Sequence, residues 1–110
     1  MKTIDIAKEY SDTPLGRVDD DSEFNGTRFR EQYLRPALQQ EEKVSVVIDG
    51  VEGYGSSFLE EAFGGLVRKG HFTADELQRK LVVAFKDKTF KMYHDQIWKY
   101  IKEAKRETAG

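Results

Sequence analysis

The sequence predicts an α/β fold: one domain over residues 1–110, with a mixed sheet of about four strands and helices mainly on one face of the sheet. Two largely apolar runs, 44–48 and 81–85, are typical of buried strands. A glycine-rich loop and helical patterns lie between these runs. Strands joined through helices in this way run parallel, so we expect the two runs to be parallel in one sheet.

Composition narrows the class of protein. Hydrophobic residues make up 38% of the chain and charged residues 35%, which indicates a highly charged surface around a modest core. The net charge of −2 argues against a general nucleic-acid binder. The absence of cysteine excludes disulfides and thiolate catalysis. Because the N-terminus has no long apolar stretch, we expect neither a signal peptide nor a membrane anchor, and we expect a cytoplasmic protein.

The N-terminal third carries two short strand patterns and one helix pattern. Residues 3–7 alternate as an edge strand does, and residues 15–18 are expected to form a hairpin with them, followed by a solvated acidic loop at 19–23. Asn25 begins a helix with one apolar face. Pro36 lies inside that pattern and predicts a kink near residues 33–36, since proline lacks an amide donor.

The second half of the chain carries three more helix patterns. Ser57 and Glu60 have the spacing of a capping box, and so have Thr73 and Glu76. Two adjacent glycines follow at 64–65, which indicates that the helix backbone closely approaches another element. The last helix is expected over about residues 89–107, with Trp98 beside its apolar stripe. Six residues are predicted to be largely buried: Val46, Ile48, Phe63, Leu66, Val83 and Phe85.

The segment 44–68 is the most informative part of the chain for function. It reads as a buried strand ending in Asp49, a loop with three glycines, a serine pair and an amphipathic helix. Sheets of α/β proteins place binding sites where a strand end meets a helix start. The loop has neither the spacing of a dinucleotide motif nor the lysine of a triphosphate-binding loop.

Three blocks of this chain support a resemblance to a known family. The blocks read TPLGR, NGTRFREQYLRPAL and VVIDGVEGYGSSFLEEAFGGLVR. They resemble the bacterial STAS-like domain family of unknown function, over roughly residues 16–67 by motif. The resemblance implies a STAS-like fold.

The wider STAS superfamily also suggests a mode of action. It includes anti-sigma-factor antagonists, which are non-enzymatic switches phosphorylated on a serine at a helix start by a histidine-kinase-like ATPase. By position, the resemblance implies that Ser56, with Ser57 beside it, is the phosphorylated site. The residues expected to contact a partner or to be modified are Gly53, Tyr54, Gly55, Ser56, Ser57 and Phe58.

Each candidate residue also has a structural interpretation. Ser57 can act as a helix cap alone. Asp49 can serve a ligand site or close its own loop by binding backbone amides. Arg17 and Arg30 can converge on an anion near Gly55 or form structural ion pairs with Asp19, Asp20 or Asp49, and the pairing is favoured.

The remaining candidates are weaker. The two histidines, His71 and His94, lack metal-ligand spacing, so we expect no metal site. The last helix carries many lysines, for which a solvated face is the default and an acidic or nucleic-acid partner the minority interpretation. No cofactor motif is present.

The sequence therefore favours a non-catalytic regulatory or protein-interaction domain that binds a protein partner and no membrane. The alternative hypothesis is a small-ligand-binding domain or minor enzyme that uses the strand-end loop around Asp49.

Overall fold

A three-stranded parallel sheet forms the centre of the fold. The computed structural model describes residues 1–107. Its strands are β1 (Lys2–Asp5), β2 (Val44–Val47) and β3 (Leu81–Ala84), in the order β1-β2-β3. All pairs are parallel, and Ile4, Val46 and Val83 lie side by side. The prediction that the two apolar runs are parallel is confirmed, whereas a mixed sheet of four strands is wrong for the described residues.

The N-terminal hairpin is the part of the expectation that fails. Residues 15–18 form no strand, and Leu15 and Val18 are 56% and 48% exposed. After β1 the chain enters a single π-helical turn, Ile6–Tyr10, at whose start the Asp5 carboxylate accepts a hydrogen bond from the Lys8 amide. A strand at 15–18 would need an apolar side to bury, and this short alternation offers too little apolar surface to pay for ordering a fourth strand.

The first long helix, α1, spans residues 26–40 in three parts: Gly26–Phe29, the π-helical turn Arg30–Leu34, and Arg35–Gln40. Asn25 caps it, since its side-chain oxygen accepts a hydrogen bond from the Arg28 amide at 2.9 Å. The predicted irregularity before Pro36 is the π turn, in which the Arg35 amide bonds to the Arg30 carbonyl. The helix thus passes the proline without ending.

The second long helix, α2, spans residues 56–68: Ser56–Leu59, the π-helical turn Glu60–Gly64, and Gly65–Arg68. It crosses α1 closely at Gly26. A Cβ atom at Gly26 would lie 2.8 Å from the Phe58 carbonyl oxygen and 3.1 Å from the Ala62 nitrogen. Only glycine allows this approach, so the two helix backbones meet here.

Two further helices complete the fold. Helix α3 (Ala74–Lys80) begins with the predicted capping box of Thr73 and Glu76. A 3₁₀ turn, Lys88–Phe90, leads into α4 (Lys91–Glu103). The expected end at residue 107 is wrong. The chain leaves the helix at Ala104, and the Glu107 amide bonds to the carbonyl oxygen of Arg68 at 2.8 Å.

The core lies on one face of the sheet. Burial alternates along β2 and β3, and Val82 on β3 is 45% exposed between buried neighbours. The helices therefore cover one face, as predicted. Of the six residues expected in the core, Phe85 is only half-buried, because it follows the last residue of β3 at the rim. No helix among residues 1–107 is long and apolar enough to cross a membrane.

Candidate functional site

The loop between β2 and α2 is held from inside the protein. Gly50 has a φ of 91°, a conformation that glycine adopts without strain. Val51 and Tyr54 are each 7% exposed, and the Tyr54 hydroxyl donates a hydrogen bond to the Ile48 carbonyl at 2.8 Å. Burial raises the pKa of this hydroxyl. The loop is therefore a fixed support rather than a flexible connection.

Asp49 ties two loops together at the carboxyl end of the sheet. Its carboxylate accepts hydrogen bonds from the backbone amides of Lys86, at 2.9 Å, and Asp87, at 2.7 Å. These amides belong to the segment that follows β3. Of the two interpretations of Asp49, the amide-binding one matches this geometry, although the amides come from the neighbouring loop rather than from its own.

The serine pair lies at an uncapped helix start. Gly55 is the capping residue of α2, and the first turn holds no acidic residue. Among residues 1–107, no side chain caps the first-turn amides. Ser56 is exposed and Ser57 is half-buried. The predicted capping box is therefore wrong. Ser57 lies inside the helix as its second residue, and the Glu60 carboxylate is bound by arginines instead.

The six residues predicted for partner contact divide into a surface and its support. Gly55 and Ser56 are exposed, whereas Tyr54 and Phe58 are buried, with their rings stacked at 5.9 Å between centroids. Gly53 lies against the Tyr93 hydroxyl, which would be 3.2 Å from an added Cβ atom. Tyr54 and Phe58 thus position the exposed residues and are not themselves available to a partner.

Arg30 is buried at the crossing of α1 and α2. It is 3% exposed, and its Nη1 donates hydrogen bonds of 2.6 Å to both the side-chain Oε2 and the backbone carbonyl of Glu61. Its Nε donates to Glu31 at 2.8 Å. Gly65 provides the space, since an added Cβ atom there would lie 3.1 Å from the Arg30 Cζ and closer still to its Nη1. This explains one of the two mid-helix glycines.

Two more arginines bind Glu61 together with its neighbour Glu60. Arg17 pairs with Glu60 and lies 3.5 Å from Glu61. Arg68 pairs with Glu60 at 2.8 Å and lies 3.3 Å from Glu61. We call the five residues Arg17, Arg30, Glu60, Glu61 and Arg68 the arginine–glutamate cluster. It joins the loop before α1, both long helices and the chain after α4, because Arg68 also binds Glu107 at 2.9 Å.

The charges of the cluster stabilise one another. Partial burial opposes ionisation of Glu60 and Glu61, yet hydrogen bonds from the arginines hold the pKa of both carboxyls below the usual value. At Glu31 burial also raises the pKa, but hydrogen bonds from Arg30 and Arg35 outweigh this effect and lower the pKa to about 2. The favoured interpretation of Arg17 and Arg30 as structural ion pairs fits, but with carboxylates of α1 and α2 instead of Asp19, Asp20 or Asp49.

Sequence reasoning missed Glu60, Glu61 and Arg68 as partners of these arginines. One signal was present: Glu61 interrupts the apolar stripe of α2, beside Phe58 and Ala62. A carboxylate at a buried helical position requires a cation, because an unpaired buried charge is costly. The identity of that cation depends on how the two helices cross.

The two histidines do not belong to the loop between β2 and α2. The His71 Nε2 lies 3.2 Å from Glu31, and the His94 Nδ1 lies 2.9 Å from Asp95. Across residues 1–107, no cluster of His, Cys, Asp or Glu side chains is arranged to hold a metal ion. A surface cleft of about 510 Å³ lies beside the acidic loop, lined by Val18, Asp19, Asp20, Thr27, Arg28, Glu31 and Gln32.

A comparison with protein families gives one match. Residues 25–88, more than half of the chain, match the model of the STAS-like domain of unknown function (DUF4325). The chain belongs to this STAS-like family. The match begins at the cap of α1 and ends after β3, so it contains β2, the glycine loop and both crossing helices. No curated protein and no solved structure matches the chain.

Proposed function

We propose that this STAS-like domain is a non-catalytic regulatory module that binds a protein partner. The contact surface is Gly55, Ser56 and the exposed residues around the start of α2. The observation that carries the proposal is the arrangement of this surface: exposed small residues above a support of buried aromatic rings. A rigid, exposed loop of this kind loses little entropy when a partner binds.

Phosphorylation of Ser56 is the proposed switch, with a histidine-kinase-like ATPase as the proposed partner. The resemblance to the wider STAS superfamily suggests this chemistry. Two features of α2 support it: the Ser56 side chain is exposed, and the helix start has neither a side-chain cap nor an acidic residue in its first turn. A phosphate there would interact favourably with the helix dipole and the open amides.

The alternative, a small-ligand site or enzyme at Asp49, has less support. The Asp49 carboxylate is occupied by two backbone amides, and the guanidinium groups of Arg17 and Arg30 are occupied by glutamates. A ligand at these groups would have to displace bonds that hold the fold. We therefore propose that the domain has no catalytic activity. Turnover that Asp49→Ala abolishes without unfolding the protein would contradict this.

Affinity capture from the native cell, with mass spectrometry of the domain and of its partners, tests the switch. We expect phosphate on Ser56 in a fraction of the molecules. Ser56→Glu, an imperfect mimic of the phosphate, should capture less partner than the wild type and melt at nearly the same temperature. Gln39→Glu makes the same charge change at an exposed position on α1 and should capture the wild-type amount.

Two results would overturn the switch. Equal capture by Ser56→Glu and the wild type would show that charge at this position does not control binding. Unfolding of Ser56→Glu would show that the position is needed for the fold.

A further inference from the structure

The outer edge of β3 is an unpaired strand edge. The carbonyl of Ala84 accepts a hydrogen bond from the Ile48 amide at 3.0 Å, so the peptide groups of Ala84 and Val82 point towards β2. The peptide groups of Val83 then point the opposite way. Within residues 1–107 no strand pairs with that side of β3.

The opposite edge of the sheet, on β1, is blocked. The Asp5 amide points away from β2 and donates a hydrogen bond to the Glu9 carboxylate at 2.7 Å. Natural sheets commonly protect an edge in this way, or with a charged residue on the strand. The four residues of β3, Leu81–Ala84, include no charge and no proline. The two edges therefore differ in their capacity to accept another strand.

A groove lies between the two helices that precede and follow β3. Gln78 of α3 and Trp98 and Lys102 of α4 line a hollow of about 400 Å³. Helix α3 leads directly into β3, and the Phe85 ring, just after β3, contacts the His94 ring at 5.4 Å. Helix α3 thus joins β3 at its first residue, and α4 contacts the chain just after its last. Half-buried Trp98 offers an apolar surface to side chains of an added strand.

Cations surround this edge. They are Arg79 and Lys80 before the strand, Lys86 and Lys88 after it, and Lys99 and Lys102 on α4. No carboxylate in the part of the chain that the structure describes forms an ion pair with these six side chains. Between residues 79 and 103 the chain also carries three carboxylates. Asp87 accepts hydrogen bonds from Thr89, Asp95 is bound by Lys91 at 2.8 Å and by His94 at 2.9 Å, and Glu103 follows Lys102. The edge therefore has a surplus of positive charge.

This charge selects the kind of strand that can pair here. Two copies of the chain joined antiparallel at β3 would place Lys80 of one copy near Lys86 of the other, and like charges opposite each other are destabilising. An extended acidic segment would instead meet cations at both ends. We propose that the outer edge of β3 binds an extended acidic segment of a partner protein as a fourth strand. This surface is separate from the loop at Ser56.

Trp98 allows a direct test, because it is the only tryptophan in the chain. The probe is a blocked seven-residue peptide of alternating glutamate and valine, titrated while tryptophan emission is recorded. We expect a saturable change in emission. The matched peptide with lysine in place of glutamate should bind at least about tenfold more weakly.

Backbone methylation of the peptide tests the strand geometry. In an added strand, only every second peptide group bonds to the edge. Methylating one alternating set of peptide nitrogens should therefore abolish binding, and methylating the other set should change affinity less than about threefold. Equal effects of the two sets would show that the peptide does not bind as a strand and would overturn the proposal.

Protein variants test the charge. Lys99→Glu combined with Lys102→Glu should weaken binding of the acidic peptide at least about tenfold, whereas Lys8→Glu with Lys43→Glu makes the same charge change elsewhere and should not. The proposal fails if the acidic peptide causes no emission change at about 1 mM, or if the lysine peptide binds equally well. It also fails if sedimentation reveals a dimer that Val82→Lys dissociates, because a second copy would then occupy the edge.

Discussion

Helix α2 has two regions with opposite characters. Its middle, around Glu60 to Gly65, is largely buried and is bound by three arginines, Arg17 and Arg30 from before the helix and Arg68 from its own last turn. Its start, at Ser56, is exposed and has no side-chain cap. The middle is therefore held by many interactions that stabilise the fold. The start has few structural constraints and can serve binding or modification.

Substitutions in the two regions should therefore affect different properties of the protein. Changes in the middle should alter the free energy of unfolding, since they remove burial or leave a buried charge without its partner. Changes at the start should leave stability nearly unchanged and alter only interactions with other molecules.

Phe63→Ala should have the largest effect. The Phe63 side chain is fully buried in the core. Its removal should lower the free energy of unfolding by about 3–5 kcal/mol, the usual range for a buried phenylalanine. Urea unfolding measures this loss. Met92→Ala removes a side chain that is 55% exposed and should stay within about 0.5 kcal/mol of the wild type. Similar losses in both variants would contradict the packing of α2.

Arg30→Met should cause the next largest loss of folding stability. It leaves Glu61 without its shortest ion pair, although Arg68 remains 3.3 Å away. We expect a loss of about 3 kcal/mol, the low end for breaking a buried pair.

Gly65→Ala should destabilise the wild type but stabilise the Arg30→Met variant. In the wild type, the new methyl group would collide with the Arg30 guanidinium and should destabilise the protein. In the Arg30→Met background the collision is relieved, and the better helix propensity of alanine should stabilise the protein by about 1 kcal/mol. A double-mutant cycle by urea unfolding measures both effects. Equal effects in the two backgrounds would rule out the close contact.

Acid should lower the stability of the protein, because it protonates glutamates in and near the middle of α2. The pKa of Glu31 is lowered from 4.5 to about 2 by hydrogen bonds from Arg30 and Arg35 that outweigh burial, and the pKa values of Glu60 and Glu61 are lowered as well. A carboxyl whose pKa is lower in the folded state than in the unfolded state stabilises the fold fully at a pH above its unfolded-state pKa. The contribution is lost as the pH falls through the folded-state value. The melting temperature should therefore fall between about pH 4.5 and about pH 2.

Glu31→Gln is the control for the acid effect. It should be less stable than the wild type at pH 7, and its melting temperature should fall less on acidification. Parallel pH profiles of the two proteins would show that Glu31 does not contribute to the acid response.

The smallest losses of stability are expected for substitutions at the starts of α3 and α2. Thr73→Ala removes a complete capping box from α3 and should cost about 1 kcal/mol. Ser57→Ala removes no cap from α2 and should change stability by less than about 0.5 kcal/mol. Thermal and urea unfolding of both variants measure the difference. A larger loss for Ser57→Ala would mean that its hydroxyl does support the helix start.

The sequence allowed most of the elements to be predicted but only part of the candidate site. The two apolar runs predicted neighbouring parallel strands, and Asn25 and Thr73 marked helix starts that the structure confirms. These signals are local, because a cap or an apolar run acts within a few residues of itself. The capping box at Ser57 shows the limit of such signals. Its spacing was correct, yet Glu60 binds Arg17, 43 residues away, and Arg68, eight residues further along α2, instead of the helix start.

By itself, the sequence determined the positions of most helices, the pairing of β2 with β3, the serine pair at a helix start and the close approach at the mid-helix glycines. Periodicity, capping and glycine content decide these features within one segment. Only the tertiary structure decided that Arg17, Arg30 and Arg68 bind the glutamates of α2, that Asp49 binds the loop after β3, and that one edge of the sheet is blocked while the other is open. Most of these features join residues far apart in the chain, and their partners are chosen by the crossing of helices and the order of strands.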